Sequence, residues 1–293
     1  MSQFFSPQWM LLTGMLLSLF IQETALQSHA KKISAKLLQV SIIMLGASLN
    51  FNVVLHQGGS GILTTLVSIL IAFFFGYITQ KMFRVDNEQA TLITMGTAIC
   101  GGSAIGALSP VIKAQTFSIT VAIAVVFILN ALAIFIFPPV GTSLSLSQEQ
   151  FGIWSALAIH DTSSVVAASS LYGEEALSTA TTLKLIRALW IIPITLVFSF
   201  LQKDQKAGKT TIPWFILGFL ISSLIFTFTG IPESIAINVS KMAQMGFTIT
   251  LFLIGLTFDF KKIRQIGPRP LLMGSLLWIL VSTLSLVFVI YFH

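Results

Sequence analysis

Four ionisable residues interrupt long apolar stretches of this sequence, and their types point to ion chemistry. His160 and Asp161 are adjacent in one stretch and precede Ser164, whereas Lys184 and Arg187 lie in the next stretch. Acids and histidines away from water often carry protons or sodium ions. We therefore predict that His160, Asp161 and Ser164 bind a coupling ion, H⁺ or Na⁺. The structural alternative is a polar contact between Asp161 and a neighbouring hydroxyl group.

Lys184 and Arg187 are three residues apart, so a helix places both side chains on one face. We predict that Arg187 contacts an anion or acts in gating, and that Lys184 and Lys113 act in gating. Alternatively, Lys184 reaches the lipid headgroups along its apolar stem. A pair between Arg187 and Asp161 also stays open.

Two stretches, 96–110 and 245–259, combine glycines with hydroxyl-bearing residues. A glycine in a helix interior costs about 1 kcal/mol relative to alanine. Such residues either allow close packing of helices or interrupt a helix whose freed backbone groups line a cavity. The second interpretation predicts that substrate-binding groups come from Thr97, Cys100, Gly101, Gly102, Ser103, Thr248, Thr250 and Gly255, together with Arg187.

The elements that position these residues are membrane helices. Charged residues make up 9% of the chain and hydrophobic residues 55%, with a mean hydropathy of +0.92; soluble domains carry roughly 25% charged residues. A spanning helix needs about 20 mostly apolar residues. This length predicts ten segments: 7–22, 35–55, 61–80, 90–112, 116–137, 149–171, 179–201, 212–230, 243–260 and 270–292.

The basic residues predict the orientation of these segments. Twelve Lys and Arg residues follow odd-numbered segments, two (Lys113 and Lys241) follow even-numbered segments, and Lys184 and Arg187 lie inside the seventh. Since basic residues favour cytoplasmic loops, both termini are predicted to lie outside. The first segment is predicted to be a helix rather than a signal peptide, because no basic residue precedes it and no small-residue cleavage site follows it.

The predicted fold is an all-α polytopic membrane domain, 1–293, built from two repeats of five helices with approximate halves 1–140 and 141–293. The fourth segment and the ninth share a Met-Gly start and a content of Thr and Gly, and they run in opposite directions, which is typical of inverted-repeat transporters with interrupted helices at the midplane. A competing match relates 45–51 to 254–260.

Other classes of protein find little support in the sequence. It contains no cluster of His and Cys with metal spacing and no phosphate-binding loop, so we expect no enzyme and no cofactor. The single cysteine, Cys100, excludes an internal disulfide. The basic residues lie in short loops, which indicates membrane topology rather than nucleic-acid binding.

At these motifs the chain resembles the YeiH-type inner-membrane proteins, an uncharacterised bacterial family often labelled sulfate exporters. The resemblance implies a fold like that of cation/proton antiporters and bile-acid symporters. Members usually carry one more N-terminal helix, and usually have Gln where this chain has Ser164. The matching stretches are Ala98–Ile105, Ser109–Ala114, Phe151–Trp154, Ile159–Asp161, Val165–Ala168, Lys184–Arg187, Ile212–Phe215, Ile254–Leu256 and Pro270–Met273.

The leading hypothesis is a secondary transporter in the bacterial inner membrane that moves a small anion by alternating access, coupled to H⁺ or Na⁺. The anion is sulfate or an organic sulfonate or carboxylate. The alternatives are a cation/proton antiporter that uses Asp161 and His160, a non-transporting sensor or assembly subunit, and a passive channel. The expected partners are the bilayer, the anion and the coupling ion, with a homodimer as an option and no nucleic acid.

Overall fold

The computed structural model describes residues 7–20, 24–47, 51–201, 214–229, 231–257 and 267–292, and in these residues every regular element is a helix. The chain divides into two compact units. The first comprises residues 1–57 and 213–260, and the second comprises residues 58–212 and 261–293. Helix α3 (Phe51–Phe83) begins in the first unit and continues into the second.

The first unit contains four further helices: α1 (Pro7–Phe20), α2 (Thr24–Gly46), α11 (Trp214–Phe228) and α12 (Glu233–Leu256). Glycines allow close packing here: a Cβ at Gly14 would lie 2.3 Å from the Phe252 carbonyl oxygen and 3.0 Å from the Cα of Gly255. The prediction of an interrupted helix over 245–259 is wrong for the residues up to Leu256, because α12 is one continuous helix to that point. Its glycines serve helix packing instead, and residues 258–260 lie outside the described part of the chain.

The second unit contains the remaining helices: α4 (Asn87–Ala98), α5 (Gly102–Leu108), α6 (Thr116–Ser143), α7 (Gln148–Ala158), α8 (Thr162–Tyr172), α9 (Glu174–Leu189), α10 (Ile191–Leu201) and α13 (Pro268–Phe292). Four stretches of the described residues are long and apolar enough to cross a membrane, and all lie in this unit: Gly61–Phe83, Phe117–Ser143, Glu174–Leu201 and Pro268–Phe292. This confirms a helical membrane protein.

The fourth predicted segment is a hairpin of two short helices, α4 and α5, rather than one span. A Cβ at Gly96 in α4 would lie 3.0 Å from Cδ1 of Ile105 in α5, so the two helices lie side by side. The Gln115 backbone N–H, just before α6, donates a hydrogen bond of 3.0 Å to Oε2 of Glu88, in the first turn of α4. The chain therefore returns to the end from which α4 started. We call residues 87–115 the first hairpin.

The sixth predicted segment folds back in the same way. The Tyr172 hydroxyl, at the end of α8, donates a hydrogen bond of 2.7 Å to the Leu146 carbonyl, which precedes α7. The Tyr172 ring stacks on Phe151 with 3.9 Å between centroids. The Glu175 backbone N–H donates to Oε1 of Gln148 at 3.1 Å. We call residues 146–173 the second hairpin.

The two hairpins enter the unit from opposite ends. Helix α6 has 28 residues, or roughly 42 Å at 1.5 Å per residue. It starts at the base of the first hairpin, and four residues separate its end from the start of α7. In contrast, α4 and α7 have 12 and 11 residues, or about 18 Å, which is little more than half of a hydrocarbon core of about 30 Å. The prediction that segments 90–112 and 149–171 are each one continuous helix is therefore wrong.

Candidate functional site at the hairpin tips

The turns of the two hairpins meet each other inside the second unit. We call residues 99–101 the first tip and residues 159–161 the second tip. A Cβ at Gly101 would lie 3.1 Å from the Cβ of Asp161, and Gly101 has a φ of +64°. Side chains rarely adopt this conformation, so glycine is needed here both for the turn and for the approach of the tips.

The two hairpins are related in sequence as well as in shape. At an offset of 60 residues, Ala98-Ile99 matches Ala158-Ile159, and Ser103 and Ala107 match Ser163 and Ala167. The offset also aligns Gly101 with Asp161. Because the hairpins enter from opposite ends, the matching residues lie in opposite orientations. This match relates the fourth segment to the sixth, whereas the predicted five-plus-five repeat relates the fourth to the ninth.

Arg187 in α9 binds the backbone of both hairpins. Its side chain is completely buried. Nε and Nη2 donate to the carbonyls of Ala98 and Thr97 at 2.6 and 3.1 Å, and Nη1 donates to those of Leu157 and Ala156 at 2.5 and 3.2 Å. These carbonyls end α4 and α7, where a helix leaves acceptors unsatisfied and carries a partial negative charge. The guanidinium binds these acceptors rather than the Asp161 carboxylate.

Lys184, one turn before Arg187, caps the second hairpin alone. Its side chain is also completely buried, so it does not reach the headgroups in this conformation. Nζ donates to the carbonyls of Ile159 and Ala156 at 2.6 and 3.2 Å. The predicted shared face of Lys184 and Arg187 is confirmed, since both side chains bind the Ala156 carbonyl.

Asp161 is the N-cap of α8. Its Oδ1 accepts hydrogen bonds from the backbone N–H of Ser164 at 2.8 Å and from the Ser163 hydroxyl at 2.5 Å. Its Oδ2 accepts one from the Ser164 hydroxyl at 2.8 Å. The structural alternative of a contact between Asp161 and a neighbouring hydroxyl is therefore present. An N-cap carboxylate also stabilises the positive end of the helix.

Asn130, in the middle of α6, is not among the predicted site residues. Its Oδ1 accepts hydrogen bonds from the backbone N–H groups of His160 and Asp161 at 3.1 and 3.4 Å. Helix α6, which follows the first hairpin, therefore binds the tip of the second hairpin through Asn130. Arg187 in α9 binds the C-terminal ends of α4 and α7. The signal was available in the sequence: Asn130 is the single amide in an apolar run from 121 to 137.

His160 is the least satisfied group at the tips. Its side chain is 1% exposed, and neither ring nitrogen makes a hydrogen bond of ordinary geometry, although the Val126 backbone is close enough to interact with the ring. Nδ2 of Asn130 has no hydrogen-bond partner either. Trp278 in α13, another residue outside the predicted set, lies beside it, with 6.5 Å between ring centroids. The Trp278 indole donates to the Ala158 carbonyl at 3.1 Å and so contributes to the same tip.

The remaining predicted residues divide into four groups. Cys100 is buried in the first tip and Thr97 is buried just before it, at the end of α4, where the Thr97 hydroxyl donates to the Ile93 carbonyl at 2.9 Å. Gly102 and Ser103 follow this tip and are partly or fully exposed. Lys113 is exposed, two residues before the Gln115 that bonds Glu88 at the hairpin base, and so lies away from the tips. The others, Thr248, Thr250 and Gly255, belong to the first unit, where the Thr250 hydroxyl donates to the Gly246 carbonyl at 2.8 Å.

The tips contain charged groups but no metal site of the usual kind. Within the described ranges, three or more His, Cys, Asp or Glu side chains never come together in a group that could hold a metal ion. The arrangement can instead bind a small ion or solute where irregular backbone, two cations and one carboxylate meet.

Comparison with known proteins places this chain in a family. A family model described as conserved hypothetical protein 698 matches residues 2–274. A UPF0324 membrane protein of Porphyromonas gingivalis is 44% identical over 290 residues, covering 97% of this chain and 87% of the relative. Relatives of the same name from Vibrio parahaemolyticus and Geobacter sulfurreducens are 46% and 40% identical, covering 86% and 94% of this chain and 82% and 88% of theirs. No solved structure matches the chain.

Proposed function

This chain belongs to the UPF0324 family of membrane proteins, and from the geometry of the tips we propose that it is a secondary transporter for a small anion, coupled to H⁺ or Na⁺. The observation that carries the proposal is the contact of Gly101 with Asp161, where two inverted hairpins meet around buried charges. Interrupted helices of an inverted repeat that meet at mid-membrane are the common architecture of substrate sites in secondary transporters.

The charge balance at the tips favours an anion over a cation. Each tip joins the C-terminus of one helix to the N-terminus of the next, so the partial charges of the four helix ends cancel. The side chains that remain are the two cations Lys184 and Arg187 and the carboxylate of Asp161. With Lys184 protonated, one positive charge is left over in a region of low dielectric, where it is costly unless an anion compensates it.

The two hairpins also make the count of basic residues on the two sides of the membrane more asymmetric. If both hairpins return to the side they entered from, the chain crosses the bilayer eight times, and Lys113 moves to the side of Lys81 and Arg84. Thirteen of the sixteen Lys and Arg residues then lie on one side, and Lys241 alone lies on the other, with Lys184 and Arg187 at the centre. The positive-inside rule assigns the larger group to the cytoplasm. The protein then lies in the inner membrane, and both of its termini remain on the outer side.

In this topology the first hairpin enters from the cytoplasm and the second from outside. Movement of one hairpin away from the contact between the tips opens the site to one side of the membrane. The other hairpin keeps the site closed to the opposite side. Arg187, which bonds the backbone at both tips, lies between the two gates. This supports alternating access in preference to a continuous pore, because the tips contact each other in this conformation.

We expect cysteine labelling to distinguish the eight-crossing topology from the ten-crossing one. The lone natural thiol is removed with Cys100→Ala, and single cysteines are placed at Lys113 and Glu149, which are both exposed. Lys113→Cys should react only from the cytoplasmic side, and Glu149→Cys only from outside. Ten crossings predict the reverse for both positions, so that result would contradict the hairpin topology. Arg84→Cys, cytoplasmic in either case, is the control.

Binding is the direct test of the proposed function. A ligand that binds the native state raises its melting temperature, so we expect one anion among sulfate, methanesulfonate and acetate to stabilise the purified protein relative to chloride at equal ionic strength. The same anion should slow the labelling of Cys100, which is buried at the first tip. Saturable counterflow of that anion in proteoliposomes would exclude a channel. Absence of binding and of flux for the whole panel would contradict the proposal.

A further inference from the structure

Among the basic and acidic side chains at the tips, those of Lys184, Arg187 and Asp161 are hydrogen-bonded and that of His160 is not. Lys184 and Arg187 donate to carbonyls that end helices, and Asp161 accepts three hydrogen bonds as an N-cap. The backbone N–H of His160 donates to Asn130, while its ring nitrogens make no hydrogen bond of ordinary geometry and lie near the Val126 backbone. Leaving a buried polar group unpaired costs about 1–3 kcal/mol. A native structure that keeps such a group often uses it.

The charges around His160 determine what its ring can bind. Lys184 and Arg187 face it from α9, Asp161 is its neighbour on the same tip, and Cys100 lies at the first tip. Helix α6 contributes Asn130 and α13 contributes Trp278, neither of which titrates. A proton added to the ring would place a third positive charge beside two buried cations, and the single carboxylate is already engaged in the cap. In the empty site the ring therefore has no free counter-charge beside it.

An anion at the tips would reverse this balance. It would neutralise the surplus positive charge and so favour a proton on the nearest free base, which is the His160 ring. Reciprocity of linked binding means that the proton favours the anion by the same factor. The two ions would then bind to the same state of the site and would move together. Arg187 stays protonated in proteins and remains bound to the carbonyls that end α4 and α7. Lys184 is the competing carrier, since a neutral amine still has two N–H donors for the carbonyls of Ala156 and Ile159.

We propose that His160 is the proton carrier of this transporter and that one proton binds together with each anion, so that the two are symported. The inference rests on the proposed function, and it narrows the coupling ion to H⁺ and the coupling residue to His160. Asp161 is then a positioning residue, which holds the start of α8 and the two serine hydroxyls in place. The lone ring of His160, rather than a shared carboxylate site, sets the pH dependence.

The test measures how anion binding depends on pH. The melting temperature of the purified full-length protein is followed against concentrations of sulfate, methanesulfonate and acetate, with chloride as the reference, from about pH 5 to about pH 8 around the ordinary range of histidine. If one proton binds with the anion, the apparent affinity should fall roughly tenfold per pH unit where the free site has lost its proton. His160→Gln should bind with no such slope, and His29→Gln, at an exposed position on α2, should keep it.

The outcomes separate the two proposals. Binding without a pH slope in the wild-type protein overturns the proton carrier and leaves the anion site in place, and this arm needs no variant. A slope that survives in both His160→Gln and His160→Asn also overturns it. A slope that is lost in Asp161→Asn but kept in His160→Gln would move the proton to Asp161. If no anion of the panel stabilises the protein at any pH, the proposed function fails together with the inference.

Discussion

Replacing Arg187 with glutamine is expected to cause the largest loss of stability of any single substitution at the tips. The side chain is completely buried and makes four hydrogen bonds, to the carbonyls of Thr97, Ala98, Ala156 and Leu157. Glutamine is shorter and cannot reach both helix ends. Each buried acceptor left without a partner costs about 1–3 kcal/mol. We expect a clear fall in melting temperature and loss of anion flux.

The conservative variant separates charge from geometry at this position. Arg187→Lys keeps the positive charge, but one ammonium group cannot span the ends of α4 and α7 as the planar guanidinium does. We expect intermediate stability together with faster labelling of Cys100, because the first tip loses two of its hydrogen bonds. Arg269→Gln, an exposed arginine in the first turn of α13, is the matched control and should be neutral. Equal stability of Arg187→Gln and Arg269→Gln would refute the bridging role.

Substituting alanine for Gly101 is expected to separate the two tips. The residue has φ +64° and ψ −128°, a conformation that costs a residue with a Cβ about 1–3 kcal/mol. The added Cβ would also lie 3.1 Å from the Cβ of Asp161. Since Asp161 is fixed as the cap of α8, the backbone must move to relieve the contact. We expect reduced stability and a strong loss of transport, measured in the same proteoliposomes.

Gly106 is the matched control for this substitution. It lies in α5, five residues later, and a Cβ there would meet nothing within 4 Å. Gly106→Ala should therefore be neutral or should stabilise the protein by up to about 1 kcal/mol through helix propensity. If Gly101→Ala and Gly106→Ala behave alike, close approach of the tips is not required for function.

Much of the site was predictable from residue types alone. A lysine, an arginine, a histidine and an aspartate in apolar segments are costly there, so each predicts a buried partner or a function, and the structure brings all four to the second tip. Asn130 and Trp278 were harder to identify, because an amide or an indole in an apolar run is unremarkable until its partner is known. Those partners, the backbone groups of His160 and Ala158, lie 30 and 120 residues away.

The fold was likewise predictable where it depends on neighbouring residues and not where it depends on distant contacts. Apolar length predicted where most helical segments lie, but the second segment, 35–55, covers the end of α2 and the start of α3 instead of one helix. The glycines of 96–110 predicted a break, which is present at Ile99–Gly101. The glycines of 245–256 have the same composition but pack against other helices and leave α12 unbroken. Composition therefore cannot distinguish a glycine that breaks a helix from one that allows a neighbour to approach.

The sequence by itself determined that this is a helical membrane protein, where its apolar segments lie, and which charged residues they contain. These properties follow from hydrophobicity, which acts residue by residue along the chain. Only the tertiary structure decided that the fourth and sixth segments fold back on themselves. That outcome depends on the turn at Gly101 and on contacts such as Gln115 with Glu88, 27 residues apart. A half-membrane helix and a half of a crossing helix bury the same apolar side chains, so distant contacts decide between them.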